Sequence, residues 1–164
     1  MTATDSAENA GRSLLVWGGT VGFGLGAIVD VIVFHLIFQH HHLLSNVYDP
    51  HTEEGFRMNV TVDGLFLGVM SLVIAVGVVM LWRTLNASSH RFSPRFTAGA
   101  LLVGAGVFNT VDGVVSHYIL DIHDVVHGST VWNPPWVVVS LVLLAVGMVV
   151  LAWSEPVVGD LERE

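Results

Sequence analysis

The sequence predicts an all-α integral membrane protein, a four-helix bundle built from two parallel-repeat helical hairpins. Three observations carry that expectation. Of 164 residues, 52% are hydrophobic and only 12% are charged, and mean hydropathy is +0.67, too apolar for an ordinary soluble domain. Four apolar stretches, 14–38, 64–82, 96–120 and 136–153, each hold near the ~20 residues that cross a bilayer as a helix. Finally, Gly22-x-Gly24-x5-Asp30-x4-His35-x5-His41 recurs as Gly104-x-Gly106-x5-Asp112-x4-His117-x5-His123, every pair 82 residues apart. Polar residues repeated inside apolar spans point to a shared polar site.

The elements follow in order. Residues 1–13 are polar and read as a disordered cytoplasmic tail. The first stretch is too long for a secretory signal, holds Asp30 and lacks a small-residue cleavage site, so it reads as a retained helix. Gly18, Gly22 and Gly26 share one of its faces, a spacing that lets membrane helices approach closely, and Gly99, Gly104 and Gly106 suit the same role on the third stretch. The second and fourth stretches are nearly all Leu, Val, Ala, Gly and Met and read as packing helices. Asn133-Pro134-Pro135 stops any helix before Trp136. The organisation is therefore a transmembrane domain at 14–153, with repeats 14–83 and 96–153, and an acidic cytoplasmic tail at 154–164.

Charge sets the orientation. Arg12, Arg83, Arg91, Arg95 and Arg163 fall on one side of this layout and Arg57 alone on the other, which places both termini and the 83–95 loop in the cytoplasm of a multi-pass cell-membrane protein. Trp17, Trp82, Trp132, Trp136 and Trp153 lie near helix ends as interfacial anchors. The expected partner is the lipid bilayer, with a second membrane protein or further copies of the chain as additional candidates. The net charge of −8 argues against nucleic acid, which needs a basic patch. The acidic, lysine-free composition fits a halophilic or high-GC source. Cysteine is absent, so disulfides and thiolate metal sites are excluded and any metal needs His, carboxylate, Met or backbone ligands.

The histidines suggest such a site. At about 100° per residue, Asp30 and His35 stand about 140° apart around a helix, while Asp30 and His41 align but lie roughly 16 Å apart along it. One straight helix cannot bring Asp30, His35 and His41 to one ion: either two helices combine, or the helix unwinds beyond His35. If helices one and three pack together, His35 faces His117 and Asp30 lies level with Asp112. His40, His41 and His42 then meet His123, Asp124 and His127, and His123 and His127 share a helix face at a spacing suited to two ligands. The expected metal residues are His35, His41, His117, His123, Asp30, Asp112, His42 and His127, the carboxylates orienting the imidazoles. Copper ranks first, zinc or iron next. Haem held between His35 and His117 is an alternative. Two others are proton or cation transport through Asp30 and Asp112 and a structural subunit without ligand.

Other residues give weaker signals. His51, Glu53, Glu54 and His90 suit solvated loops. Asp63 suits a helix cap but lies at the depth of the histidines. Met58 suits soft copper(I). Asn59-Val60-Thr61 matches a glycosylation sequon, and Asn109 at its depth is expected to bond to another helix. No nucleophile–base pair or nucleotide motif is present, so an enzyme is not expected.

At Asp30-x3-Phe34-His35-x3-Gln39-x-His41-His42, and again at Phe108-Asn109-x2-Asp112-Gly113-x3-His117-x5-His123, the chain resembles a family of prokaryotic predicted membrane proteins, domain of unknown function 2243. The resemblance spans roughly 14–153. It implies four membrane helices and little about activity; some members of the family look associated with terminal-oxidase assembly proteins, which would suit a copper or haem role. Two positions depart from the pattern: Asp30-Val31 replaces the usual Asp-Gly, and His123-Asp124 replaces a second His.

Overall fold

The computed structural model describes residues 3–160, with side chains from 7 to 159. Four long helices make up most of it: α1 Ala3–Asp30, α2 Glu53–Ala87, α3 Pro94–Val114 and α4 Asn133–Ala152. Each spans enough apolar length to cross a membrane. Helix α1 begins at Ala3, so most of the segment expected as a disordered tail is helical. Within the acidic C-terminal tail, Val157–Asp160 pairs antiparallel with His90–Phe92, forming a two-stranded ribbon (β1 His90–Phe92, β2 Val157–Asp160) at one end of the bundle. Helix α2 begins well before the apolar stretch at 64. Thr52 caps it by accepting from the Gly55 N–H, and Glu53 and Glu54 occupy its first turn, where carboxylates favour a helix N-terminus.

The main packing runs in the order α2, α1, α3, α4, with α1 and α3 as the central pair. Glycine makes that centre possible. A Cβ at Gly22 would collide with the backbone of Leu101, and one at Gly104 with the backbone of Gly19, so the two helices touch main chain to main chain. Gly18 and Gly26 also face α3, at Ala100 and Ala105. The expectation for α3 is met only in part: Gly99 and Gly106 turn the other way, toward Leu151 and Leu144 of α4. The outer helices dock through Gly77 against Val21 and Gly147 against Val103. Their remaining surface is exposed and apolar, with Leu65, Leu72, Val138 and Val139 pointing outward, the surface a lipid phase requires.

The contacts recur with a constant offset. Gly22 against Leu101 pairs with Gly104 against Gly19, and Val21 with Val103, each shifted by 82 residues. On the outer helices the offset is 70, from Gly77 to Gly147, chiefly because α2 begins at Glu53, 24 residues before its glycine, and α4 at Asn133, only 14 before its own. Both central helices also end alike. Each widens into a π-helical turn, Val31–Ile37 after α1 and Val115–Ile119 after α3. Each is closed by a residue with positive φ, Gln39 and Asp121, both at 51°. The closing bonds match as well: Phe38 N–H to Val33 O and His40 N–H to Phe34 O recur as Leu120 to Val115 and Ile122 to Ser116.

Candidate metal centre

The wide turn brings the polar residues together. A π-helix adds a residue per turn and commonly marks functional sites, and the positive-φ residue then folds the chain back over it. As a result, ligand atoms of Asp30, His35 and His41 all lie within 4.8 Å of one another, and so do those of Asp112, His117 and His123. Each half closes its own triad. Of the two routes the sequence left open, unwinding beyond His35 is the one taken. Asp30, His35, His41, His117 and His123 are buried, and Asp112 lies at the rim of burial.

The halves meet through rings other than the expected pair. His41 stacks on His123 with centroids 5.0 Å apart and planes 5° from parallel. His35 lies 4.4 Å from His41 and 5.9 Å from His123, while His117 lies 4.6 Å from His123 and 6.2 Å from His41. The direct His35–His117 facing pair is thus replaced by a ladder of four rings with the stacked pair inside.

Hydrogen bonds orient the rings. His41 donates from Nδ1 to the Val125 carbonyl at 2.8 Å, and His123 donates from Nδ1 to the Leu43 carbonyl at 3.1 Å. These reciprocal bonds cross between halves and fix the tautomer that leaves each Nε2 with a free lone pair. His35 Nδ1 lies 2.9 Å from Asp63 Oδ1. Burial, reinforced by neighbouring His35 and His123, pushes the His41 imidazole down to about 2 and keeps it neutral.

The inward-facing atoms lack partners. Asp30 Oδ1, Asp112 Oδ2, both His117 ring nitrogens and the Nε2 atoms of His35, His41 and His123 are buried without a hydrogen bond. An unsatisfied buried polar atom costs about 1–3 kcal/mol, so a cluster of them needs water, an ion or another polar partner to satisfy it. His35 Nε2 and Asp30 Oδ2 are 3.5 Å apart, as are His117 Nε2 and Asp112 Oδ2, and His123 Nε2 and Asp112 Oδ1 are 3.8 Å apart. These separations are long for hydrogen bonds. They suit two ligands of one tetrahedral ion, whose donor atoms stand about 3.4 Å apart for bonds of about 2.1 Å.

Asp63 is the residue whose role the sequence understated. It sits inside α2, so it does not cap the helix. Its carboxylate is fully buried and bridges His35 at 2.9 Å, His42 at 2.7 Å and the Leu43 N–H at 3.0 Å. The corresponding place on α4 is Asn133, 70 residues on. Asn133 accepts from the Val125 N–H at 3.0 Å and donates to Asp124 at 2.7 Å. Asn133 gave no site signal alone. It becomes visible only when the hairpins are aligned on Gly77 and Gly147.

Several other expectations are corrected. His127 does not share a helix face with His123, because the chain from Asp121 to Ser129 is irregular, and its ring instead lies 5.6 Å from His42. Asn59 is fully buried inside α2, bonded to Tyr48 O, Gly55 O and the Leu44 N–H, a poor position for glycan attachment. Asn109 bonds to Ala105 O of its own helix. Met58 lines a surface cleft with Glu53, Glu54, Arg57 and Thr61, away from the buried rings.

Four apolar helices and a buried histidine–carboxylate cluster at one end define a multi-pass membrane protein of the four-helix class. Residues 17–154 match the family described as "Predicted membrane protein (DUF2243)", and the chain belongs to that family. No curated protein and no solved structure matches the chain.

Proposed function

We propose that this membrane protein holds metal ions in two buried sites, Asp30/His35/His41 and Asp112/His117/His123, built by two parallel-repeat hairpins. The observation that carries the reading is the convergence of unpartnered Nε2 and carboxylate oxygen atoms on each side of the His41–His123 stack. One carboxylate and two imidazoles make a mixed nitrogen–oxygen set. That set favours zinc or iron(II) and moves copper, first in the sequence ranking, behind them. Three protein ligands leave a position open for water or another small molecule. Bare ions are favoured over haem because His41 and His123 crowd the space beside His35 and His117, where a porphyrin would need to lie. His42 belongs to the surroundings of the first site through Asp63, and His127 stands outside it.

Metal analysis of purified protein with an optical spectrum tests the reading. The wild type is expected to carry up to two equivalents of metal without a haem band. His35→Ala/His117→Ala is expected to lose most of it, and equal metal content in both proteins refutes ligation.

A further inference from the structure

Outside the two triads lies a line of histidines that leads to the first triad only and draws His127 from the second half. His51 is exposed, His127 is half-buried and His42 is buried. Ring centroids step from His51 to His127 in 6.2 Å, from His127 to His42 in 5.6 Å and from His42 to His35 in 6.3 Å. An imidazole binding an ion through a nitrogen at about 2.1 Å puts its ring centroid about 3.2 Å from that ion. Two such rings on one ion therefore stand between about 5.3 Å, at a tetrahedral angle, and about 6.4 Å, in line. All three steps fall inside that window. At these spacings neighbouring rings can share one ion when their nitrogens turn toward it.

The inner step has a further support. Asp63 holds His42 and His35 by opposite oxygens, and ligand atoms of His35, His42 and Asp63 lie within 4.8 Å of one another. A cation arriving at His42 therefore meets a buried carboxylate and the outermost ring of the first triad together. The mouth is acidic: Asp49 accepts from the backbone N–H of His51 at 2.9 Å, and Glu53 and Glu54 follow in the first turn of α2. Negative charge at an opening raises the local concentration of cations. The second half has no counterpart to the inner part of this line, because Asp124 and Asn133 stand where His42 and Asp63 stand in the first.

We propose that His51, His127 and His42, with Asp63, form a stepwise access route by which a transition-metal cation passes from the surface to the Asp30/His35/His41 site. This rests on the two-site reading above. The route predicts a kinetic role without an equilibrium one for its outer members.

The test uses full-length protein, freed of metal by chelation in detergent, with cobalt(II) uptake followed by stopped-flow absorbance of the visible bands. His127→Ala and His51→Ala should slow uptake about tenfold or more and reach the same final cobalt content as wild type. His40→Ala, an exposed histidine off the line, should load at the wild-type rate. His127→Gln repeats the test with a ring-free side chain that retains polarity, should the alanine variant fold poorly. Uptake by both His127 variants at the wild-type rate overturns the route while leaving the two sites standing. Loss of final cobalt content in them overturns it too, because His127 is then a ligand. No uptake by wild type removes both readings.

Discussion

The two halves share a frame and differ in what supports it. In the first, His35 Nδ1 rests on the Asp63 carboxylate, which also holds His42. In the second, His117 Nδ1 has no partner, and the places of His42 and Asp63 are taken by Asp124 and Asn133, bonded to each other. The backbone devices are duplicated nonetheless: the wide turn, the positive-φ residue at 51° and the crossed carbonyl bonds to His41 and His123. Main-chain geometry places the proposed ligands, and their partners come from α2 and α4. An imidazole whose second nitrogen donates to a carboxylate is the more basic ligand and is better fixed in orientation. On the two-site proposal, the first triad should therefore bind a metal ion more tightly than the second.

The largest effect should come from breaking what both halves depend on. Gly22→Leu forces side-chain volume into the Leu101 backbone and should cost about 3 kcal/mol or more of stability. Thermal unfolding in detergent would read this, with Gly68→Leu, where a Cβ meets open space, as the neutral control. Next, Asp63→Asn should weaken metal binding at the first site about 10–100-fold and leave the second site within a factor of two or so. Titration with a competing chelator would separate the two classes, and equal weakening of both would show that the halves are not independent.

The seam between the halves should be sensitive to acid. His41 is neutral when folded, its imidazole held near 2, against an ordinary value of 6.5 in the unfolded chain. Below that ordinary value the unfolded chain takes up a proton that the folded chain refuses, so His41 costs stability as pH falls. The slope from this one group approaches about 1.4 kcal/mol per pH unit. Denaturation of metal-free protein at pH 7 and pH 5 would detect it, and His41→Gln should flatten the difference.

The smallest effect comes from making the second half resemble the first. Asp124→His with Asn133→Asp installs the arrangement seen at His42 and Asp63 and offers His117 Nδ1 a carboxylate. Affinity at the second site should rise by up to about tenfold, read by the same chelator titration. No rise would mean that the partner carboxylate is not what separates the two sites.

Part of this was legible residue by residue. Asp30, His35, His41, Asp112, His117 and His123 stand out because charge and imidazole are expensive in apolar spans and because their spacing repeats. The glycines of α1 were readable from their single-face spacing. Asp63 was visible as a polar residue at the right depth, but its three bonds were not, since their partners lie 20 to 28 positions away. The same distance in sequence hid the crossed bonds from His41 and His123, whose partners lie 84 and 80 positions off. The line through His51 and His127 was hidden because neither lies in a regular helix, where spacing predicts direction.

The sequence by itself determined the spans, the duplicated Asp and His set and the absence of thiolate chemistry, because apolar length, repeated spacing and composition are properties of the chain order. Only the tertiary structure decided which rings meet, how each triad closes on itself and why the halves differ. Those depend on a local widening of the helix, a reversal at Gln39 and Asp121, and the partners that α2 and α4 bring from far along the chain.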